Sequence, residues 1–573
     1  MYLLGIHNGH HDAAACLFRD YELVAAVSLE RLTRTKNDGV TPAAEIPLAA
    51  VDECLRIAGL GRGDIDMVCA SRAQFEVQTY KLHGRWQIKQ LWYRLTQPPR
   101  LEMMFDMLRR MRTKDAASIF DKEGFKRRHG FTRADVFFYN HHEAHGLPGY
   151  FFSKFDNALI YTADGIGDNL SYSASAARGG NIEVIDGGDA TLHDKYQVNS
   201  VALLYGHFTK ELGFIWNRHE GKVTGLSAFG KPSAAPEILS HFSVDDRGRI
   251  HSDFPTYDAM HMFARGICQR LSREDAAASV QEAVEKITVD SVGKYLRATG
   301  LRDIAVSGGL FANVKLNRVL LEQTPAERIF VNPAMGDEGL VIGGCLIYLL
   351  ARDGAAKWQR SRYPLEKLYL GRNYDDSFAD VAKNYPTVSR EAGRQIDKAA
   401  GLLEQGKVVA IYTGRMEFGP RALGARTIMA SPVQREVNDT INRRLDRSDF
   451  MPFAPVVLED QAAKVFDVNM GNAHAARFMT ITCDVHPEWR QRIPAVVHID
   501  GSARPQTISR ADNPLYFDVL TAFHQRTGLP VLVNTSFNVH EEPIVDTPDQ
   551  ALKSLADGRI DHILTEDGLY TAS

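Results

Sequence analysis

Cysteine is scarce in this chain and badly spaced for staples. Six cysteines occur in 573 residues, at positions 16, 54, 69, 268, 345 and 483, with no CxxC pair among them. Four sit in apolar segments, so buried, reduced thiols are expected, and a disulfide framework or a cysteine zinc site is not. An excess of either charge is also missing: 67 Lys and Arg stand against 71 Asp and Glu, a net charge of −4. A general nucleic-acid binder needs a basic footprint, so no nucleic-acid partner is expected. The longest apolar run, Gly339–Ala351, falls short of the roughly 20 residues that cross a bilayer, and it reads as a buried helix with no membrane role. The opening MYLLGIHNGHHD carries no basic n-region or cleavage signal, which sets the expectation of a cytoplasmic protein. At 44% hydrophobic and 24% charged, with 45 Gly and 23 Pro, the composition excludes disordered, collagen-like and low-complexity classes.

What is present points to an α/β chain of more than one domain, because a single core stops growing at about 250–300 residues. Tyr2–Ile6, Ala13–Phe18 and Glu22–Leu29 read as three strands, followed by a helical pattern over Ala44–Ala58 and a strand at Met67–Ser71. The same style restarts at Ala158–Ala163, with Ser171–Ala177 and Ile182–Ile185 after it. Two triple-strand openings separated by helical material predict an internally duplicated α/β domain. Between them, Tyr80–Ser118 sets Trp86, Trp92 and Tyr93 among many basic residues, and reads either as a lid or as an amphipathic insertion with a solvated face. A polar stretch, Asp353–Tyr363, ended by Pro364, gives the best boundary, dividing the chain into 1–355 and 356–573. Beyond it the pattern predicts an α+β domain, with helix Ile396–Leu403 and strands Val408–Tyr412, Phe478–Cys483 and Val531–Val533.

The most informative short segment is YNHHEAHG, 139–146. A helix there puts His141 and His145, i and i+4, on one face. HExxH would need a histidine at 146, where Gly146 stands, so a metalloprotease is excluded. The pair is either half of a divalent-metal site, completed by Asp164 and Asp337 at expected strand-to-helix junctions, or a hydrogen-bonded cluster. Two nitrogens and two oxygens suit iron as well as zinc. Glycine turns suggest a nucleotide. Asp164-Gly165-Ile-Gly-Asp168 follows a strand, and Ser307-Gly308-Gly309 opens a helix through Asn313. A third turn is read in EGKVTG, 220–225, where Lys222 reaches an anionic group. Near the C-terminus, GRMEFGPRALGAR crowds Arg415, Arg421 and Arg426, with Arg444, Arg447 and Arg504 as additions and Asn534 to Asn538 ending a strand. Guanidinium groups among apolar and glycine neighbours favour a phosphate pocket over a solvated basic face.

Taken together, GIHNGHHDAAA, LERLTRTK, HHEAH, DGIGD, EGKVTGLSAFG, SGGLFANVKLN, GRMEFGPRALGAR, DGSARPQT and NTSFN resemble the NodU/CmcH family of O-carbamoyltransferases, in the family's order and over nearly the whole chain. The resemblance implies a duplicated actin-like ATPase (ASKHA) domain followed by an α+β YrdC-like domain. It implies that carbamoyl phosphate and ATP give carbamoyl-adenylate in the second domain, and that the first transfers the carbamoyl group to an acceptor hydroxyl of a small molecule or glycan, releasing AMP. By the same resemblance an iron ion is held by His141, His145, Asp164 and Asp337, with Mg²⁺ accompanying ATP. His11 stands near the acceptor as general base and Lys36 meets the adenylate. Gly165, Asp168, Lys222, Gly308, Gly309 and Asn313 fall to adenylate binding in the first domain. Arg415, Arg421, Arg447, Arg504, Asn534 and Ser536 fall to ATP and carbamoyl phosphate in the second. Met451 stands where an arginine is expected, with Arg447 as its substitute. Two sites sharing one labile intermediate imply a tunnel or close apposition. The rival readings are threonylcarbamoyl transfer to tRNA, disfavoured by the charge balance, and an actin-like sugar kinase, which leaves the histidine pair and the later arginines idle.

Overall fold

The structure, a computed structural model, describes residues 1–40, 44–71, 79–81, 87, 88, 91, 119–191, 197–447 and 452–572. Almost all of the insertion Tyr80–Ser118, and Met451, lie outside the described residues.

Short apolar runs separated by turn residues build two five-stranded sheets in the first 331 residues. The first contains β1 (Tyr2–His7), β2 (Ala14–Arg19), β3 (Glu22–Ser28), β4 (Met67–Ser71) and β5 (Asp135–Tyr139), in the order β3-β2-β1-β4-β5. The second contains β6 (Asn157–Gly167), β7 (Leu170–Arg178), β8 (Asn181–Asp186), β9 (Asp303–Ser307) and β10 (Arg328–Val331), in the order β8-β7-β6-β9-β10. In each, the first three strands form an antiparallel meander, and the fourth and fifth add in parallel beside the first. The duplication read from the sequence is therefore a duplication of topology, as the actin-like arrangement requires.

Helices α1 (Leu29–Thr33), α2 (His141–Ser153), α3 (Val201–Glu211), α4 (Glu220–Leu226), α5 (Val314–Gln323) and α6 (Leu340–Arg360) matter for the site. The helix that follows the last strand of each sheet crosses to the other: α2 packs on β6 and β9, and α6 packs on β1 and β4. The two helices also pack on each other, and so closely that a side chain at Gly343 would put its Cβ 1.8 Å from the Ala144 carbonyl oxygen. Interiors packed at crystal density leave no slack for that methyl group. By length and composition the segment Asp337–Arg360, with a mean hydropathy of 1.4, is long and apolar enough to cross a membrane. Half of its most apolar stretch is buried here as a core helix, and Gly354, at φ 75°, interrupts its helical backbone.

The C-terminal part holds the pair β11 (Tyr369–Asn373) and β14 (Arg415–Glu417), and an eight-stranded mixed sheet. That sheet comprises β12 (Val388–Glu391), β13 (Val409–Tyr412), β15 (Arg426–Ala430), β16 (Ala454–Leu458), β17 (Gln506–Ile508), β18 (Val531–Ser536), β19 (His562–Thr565) and β20 (Gly568–Ala572), in the order β12-β20-β19-β13-β15-β18-β16-β17. The α+β expectation is met, with one exception. Phe478–Cys483 is not a strand: a helix ends at Arg477, Met479 takes a left-handed φ of 56°, and only Cys483–Asp484 pairs. The Thr480 amide donates back to Ala475 and that of Thr482 to Val314, so tertiary partners override a β-prone run.

The parts are interleaved. One apolar core runs from the second sheet into the C-terminal sheet without a break, and a second joins the α2–α6 pair to Phe418, Leu423 and Phe478. Strand β3 is an edge of the first sheet, and its free groups are met from later in the chain. The Leu23 amide donates to the Tyr363 hydroxyl at 3.2 Å, and Arg415 Nη2 donates to the Val24 carbonyl at 2.9 Å.

Candidate active site

Asn140 caps helix α2 by accepting from the Glu143 amide, and the Asp168 carboxylate accepts from the His141 amide at 2.8 Å. Asp168 is thereby spent on the helix N-terminus and not on a nucleotide. The DGIGD segment is also no strand-to-helix turn. It is the hairpin between β6 and β7, with left-handed φ at Asp168 (48°) and Asn169 (72°). A side chain at Gly167 would put its Cβ 2.0 Å from His141 Cδ2, so the hairpin must be bare where the imidazole lies against it.

The capped helix turns His141 and His145 toward the crossing point of the two sheets, with their Nε2 atoms 3.1 Å apart. Asp164, on β6, lies 3.2 Å from His141 and 3.5 Å from His145. Asp337, in the turn before α6, lies 3.3 Å from His145 and 3.7 Å from His141. The four residues named from the sequence thus converge, with all four donor atoms within 4.8 Å of one another. Donors about 2.1 Å from a divalent ion stand roughly 3.0–3.5 Å apart, so two imidazoles and two carboxylates at these separations fit a cation. Burial opposes protonation of His145, but its hydrogen bonds to Asp164 and Asp337 outweigh it and push the imidazole up to about 9. Burial would raise Asp164, and the two histidines hold it well below the usual range instead. The middle histidine of HHEAH does a different job: His142 Nδ1 meets Thr162 Oγ1 at 2.8 Å and Nε2 meets the Leu170 carbonyl at 3.1 Å, and burial lowers it to about 3.

Sequence reasoning missed His7, at the end of β1. It is fully buried, lies 3.5 Å from Asp337 Oδ2, and has no hydrogen-bond partner on either ring nitrogen among the described residues; burial lowers it to about 4. It closes the first strand of the first sheet, as Asp164 lies near the end of the first strand of the second, a signal available from the two similar openings.

A cavity of about 400 Å³ adjoins this cluster and is lined from both parts of the chain. His11, Lys36, Asp164, Gly165, Gly309, Asn313 and Asp337 face it from the first 355 residues, and Arg421 and Ser536 from the remainder. His11 Nδ1 meets Asp12 at 3.0 Å. Burial opposes its protonation, but Asp12, Asp337 and Asp164 hold it up to about 9. Burial lowers Lys36 and Arg421, and Arg421 Nε has no hydrogen-bond partner among the described residues. Glu338, also missed, lines the cavity with no hydrogen-bond partner for Oε1 among the described residues, and burial together with Asp12 raises it to about 8.

Other expected residues stand aside. Lys222 lies in helix α4, not a glycine turn, and is not among the residues that line the cavity with Glu220, Gly221 and Thr224. Gly308 lies behind Gly309, whose amide donates to Asp164 Oδ1 at 3.0 Å. Asn313 does line the cavity, but its side-chain oxygen caps α5 by accepting from the Leu316 amide, which occupies the anion-binding end of that helix. Arg415 donates to the Leu370, Gly371 and Val24 carbonyls. Arg426 donates to Thr413, Gly414 and Ala425 carbonyls and stacks on Tyr412. Arg447 is taken up by Thr535, Ser536 and Asn538. Arg504 lies off the cavity near His498, and Asn534 is buried against Ala422 and Gln506, its Oδ1 without a hydrogen-bond partner among the described residues. Of the six later residues, the structure brings Arg421 and Ser536 to the cavity.

LERLTRTK, in and after α1, docks the two parts. Arg31 donates to the Gly419 carbonyl at 2.8 Å, and Arg34 to the Pro543 and Ile544 carbonyls at 2.6 and 2.7 Å.

The family model of the carbamoyltransferase N-terminus matches residues 2–346, and that of the carbamoyltransferase C-terminus residues 400–571. The nodulation protein NolNO of Sinorhizobium fredii is 31% identical over 98% of this chain and 78% of its own length. The nodulation protein NolO of Bradyrhizobium diazoefficiens is 33% identical over 74% of this chain and 77% of its own. Full-length HypF in its phosphate- and nucleotide-bound form aligns with 62% of this chain and 56% of its own at a TM-score of 0.33 and 12% identity, too distant to carry an argument.

Proposed function

The chain belongs to the carbamoyltransferase family, and from that premise we propose that it is an ATP-dependent O-carbamoyltransferase of the cytoplasm, acting on a hydroxyl of a small molecule or glycan. In this reading residues 356–573 form the YrdC-like half. There carbamoyl phosphate is hydrolysed to carbamate and phosphate, and carbamate displaces pyrophosphate from Mg²⁺-bound ATP to give carbamoyl-adenylate. Residues 1–355 then host attack of the acceptor oxygen on the carbamoyl carbon. The bond from that carbon to the phosphate oxygen breaks, AMP leaves, and the acceptor loses its proton.

The observation that supports this most is the shared cavity. Arg421, whose Nε has no hydrogen-bond partner among the described residues, and Ser536 face the same space of about 400 Å³ as His11, Lys36 and the acidic edge of the histidine cluster. An adenylate made on one wall is within reach of the other without crossing open water. Arg421 and Lys36, both partly buried, would meet phosphate oxygens, where charge-assisted hydrogen bonds are strong. A divalent cation, iron by the family resemblance, would be held by His141, His145, Asp164 and Asp337 and would supply Lewis-acid charge for the carbonyl and phosphate oxygens. His11 and Asp12 handle the proton. As imidazolium, His11 stabilises the developing negative charge, and once its neighbouring carboxylates are neutralised it becomes free to accept the acceptor's proton.

Incubating the protein with ATP and carbamoyl phosphate, without acceptor, and following pyrophosphate and carbamoyl-AMP by mass spectrometry tests this reading. Pyrophosphate that depends on carbamoyl phosphate is expected. ADP in its place would put a kinase in the stead of the carbamoyltransferase.

A further inference from the structure

A second histidine–carboxylate cluster lies beyond the first, where the loop Phe537–Ile544 meets the turn before α4. Glu541 stands at its centre in a left-handed conformation, φ 61°, which a residue with a side chain adopts only when its surroundings hold it there. One carboxylate oxygen lies 2.7 Å from His219 Nε2 and 3.4 Å from His540 Nε2; the other lies 3.2 Å from Arg218 Nη1. Two imidazoles and a carboxylate suggest a metal site, but the tautomer argues otherwise. His219 Nδ1 accepts from the Ile215 amide at 3.2 Å, so in the neutral ring Nε2 carries the proton and donates it to Glu541. Ligation through Nε2 would turn an Nδ1–H against that amide. Arg218 on the same carboxylate also opposes a cation. The arrangement is a clasp.

The clasp has an output. Arg218 Nη2, the second arm of the guanidinium, donates to the carbonyl oxygen of Lys36 at 2.8 Å. Lys36 lines the cavity, and Glu541 and Glu30 are the charges that support its ammonium there. A rigid fork thus joins a carboxylate from the C-terminal part to the backbone of a cavity lysine from the N-terminal part.

We propose that Glu541 is a positioning residue: by holding Arg218 it fixes the backbone of Lys36, and so ties the seating of the loop 537–544 to the placement of a cavity ammonium. The inference rests on the proposed function only for the phosphate that Lys36 would meet.

The test needs no turnover. The full chain, with Glu541→Gln, Arg218→Met or both, is labelled with pyridoxal 5′-phosphate, reduced with borohydride, and mapped lysine by lysine by mass spectrometry. Loss of one charge-assisted hydrogen bond frees Lys36, and each single substitution should raise its labelling rate on the order of tenfold. Because both act through one fork, the double variant should rise no further than the singles. Unchanged or slower labelling of Lys36, a multiplied effect in the double variant, or a rise shared by all lysines overturns the proposal. Failure to form carbamoyl-AMP would sink the proposed function and leave this result standing.

Discussion

Arginine 421 is a charge held ready with nothing to hold, and Arg421→Met should separate folding from function. The residue is partly buried on the cavity wall, its Nε has no hydrogen-bond partner among the described residues, and burial lowers its pKa. Replacing a desolvated cation with an apolar chain of similar length removes a cost. Fully buried charged groups return about 1–4 kcal/mol when replaced by apolar ones, and partial exposure reduces this to about 1 kcal/mol. A chain this long has an unfolding entropy near 1.2 kcal/mol per kelvin, from about 2.1 cal/mol/K per residue, so Tm should rise by about 1 °C. Function should move the other way. Each charge-assisted bond to a phosphate that is lost costs about 1.5–3 kcal/mol, or roughly 10- to 150-fold in pyrophosphate formation. Differential scanning calorimetry and a pyrophosphate assay on the same preparation read both arms. A variant several degrees less stable than the parent would show that the guanidinium is already satisfied, and the reasoning would fall.

The close crossing of α2 and α6 predicts that Gly343→Ala, with its Cβ driven to 1.8 Å from a carbonyl oxygen, loses about 3 kcal/mol in urea unfolding; a loss under about 0.5 kcal/mol would contradict the packing. The histidine cluster predicts a pH signature in chelated protein. His145 is raised from 6.5 to about 9, so its contribution, about 3 kcal/mol, is fully present below pH 6.5 and lost as pH rises through 9. Between pH 6.5 and 9.5 the parent's Tm should fall by about 2–3 °C more than that of His145→Gln. Saturating Fe²⁺ or Zn²⁺ should raise Tm and flatten the slope, since ligation needs the unprotonated ring. Equal slopes in parent and variant would refute the assignment.

Much of the cluster was legible because helical spacing is rigid. An i, i+4 pair must share a face, and the acids that complete it stand beside glycines, Asp164 before Gly165 and Asp337 after Gly336. The duplicated topology was legible for a similar reason, since three short apolar runs separated by turn residues appear twice. The arginines were not. A guanidinium satisfied by carbonyls, as at Arg415, Arg426 and Arg447, and one whose Nε has no partner among the described residues, as at Arg421, look alike in sequence, because the folded backbone decides which carbonyls come within reach. Asp168 deceived for the mirror-image reason: its glycine neighbours suggested a phosphate turn, while its partner was an amide 27 residues earlier. His7 was passed over beside His10 and His11, although its burial at a strand end distinguishes it from them.

The side chains that close the edge of β3 carry a lesson for dissecting the molecule. The hydroxyl and guanidinium that satisfy Leu23 and Val24 are contributed more than 300 residues later, and the apolar core passes through the same seam. A fragment ending near 355 would keep its strands and lose their selvedge, presenting unpaired amides and raw apolar surface to its own kind. The two chemistries are therefore best separated by point substitutions in the intact chain, not by scissors, and a chimera exchanging one half with a relative would have to carry Tyr363, Arg415 and the residues beneath them across with it.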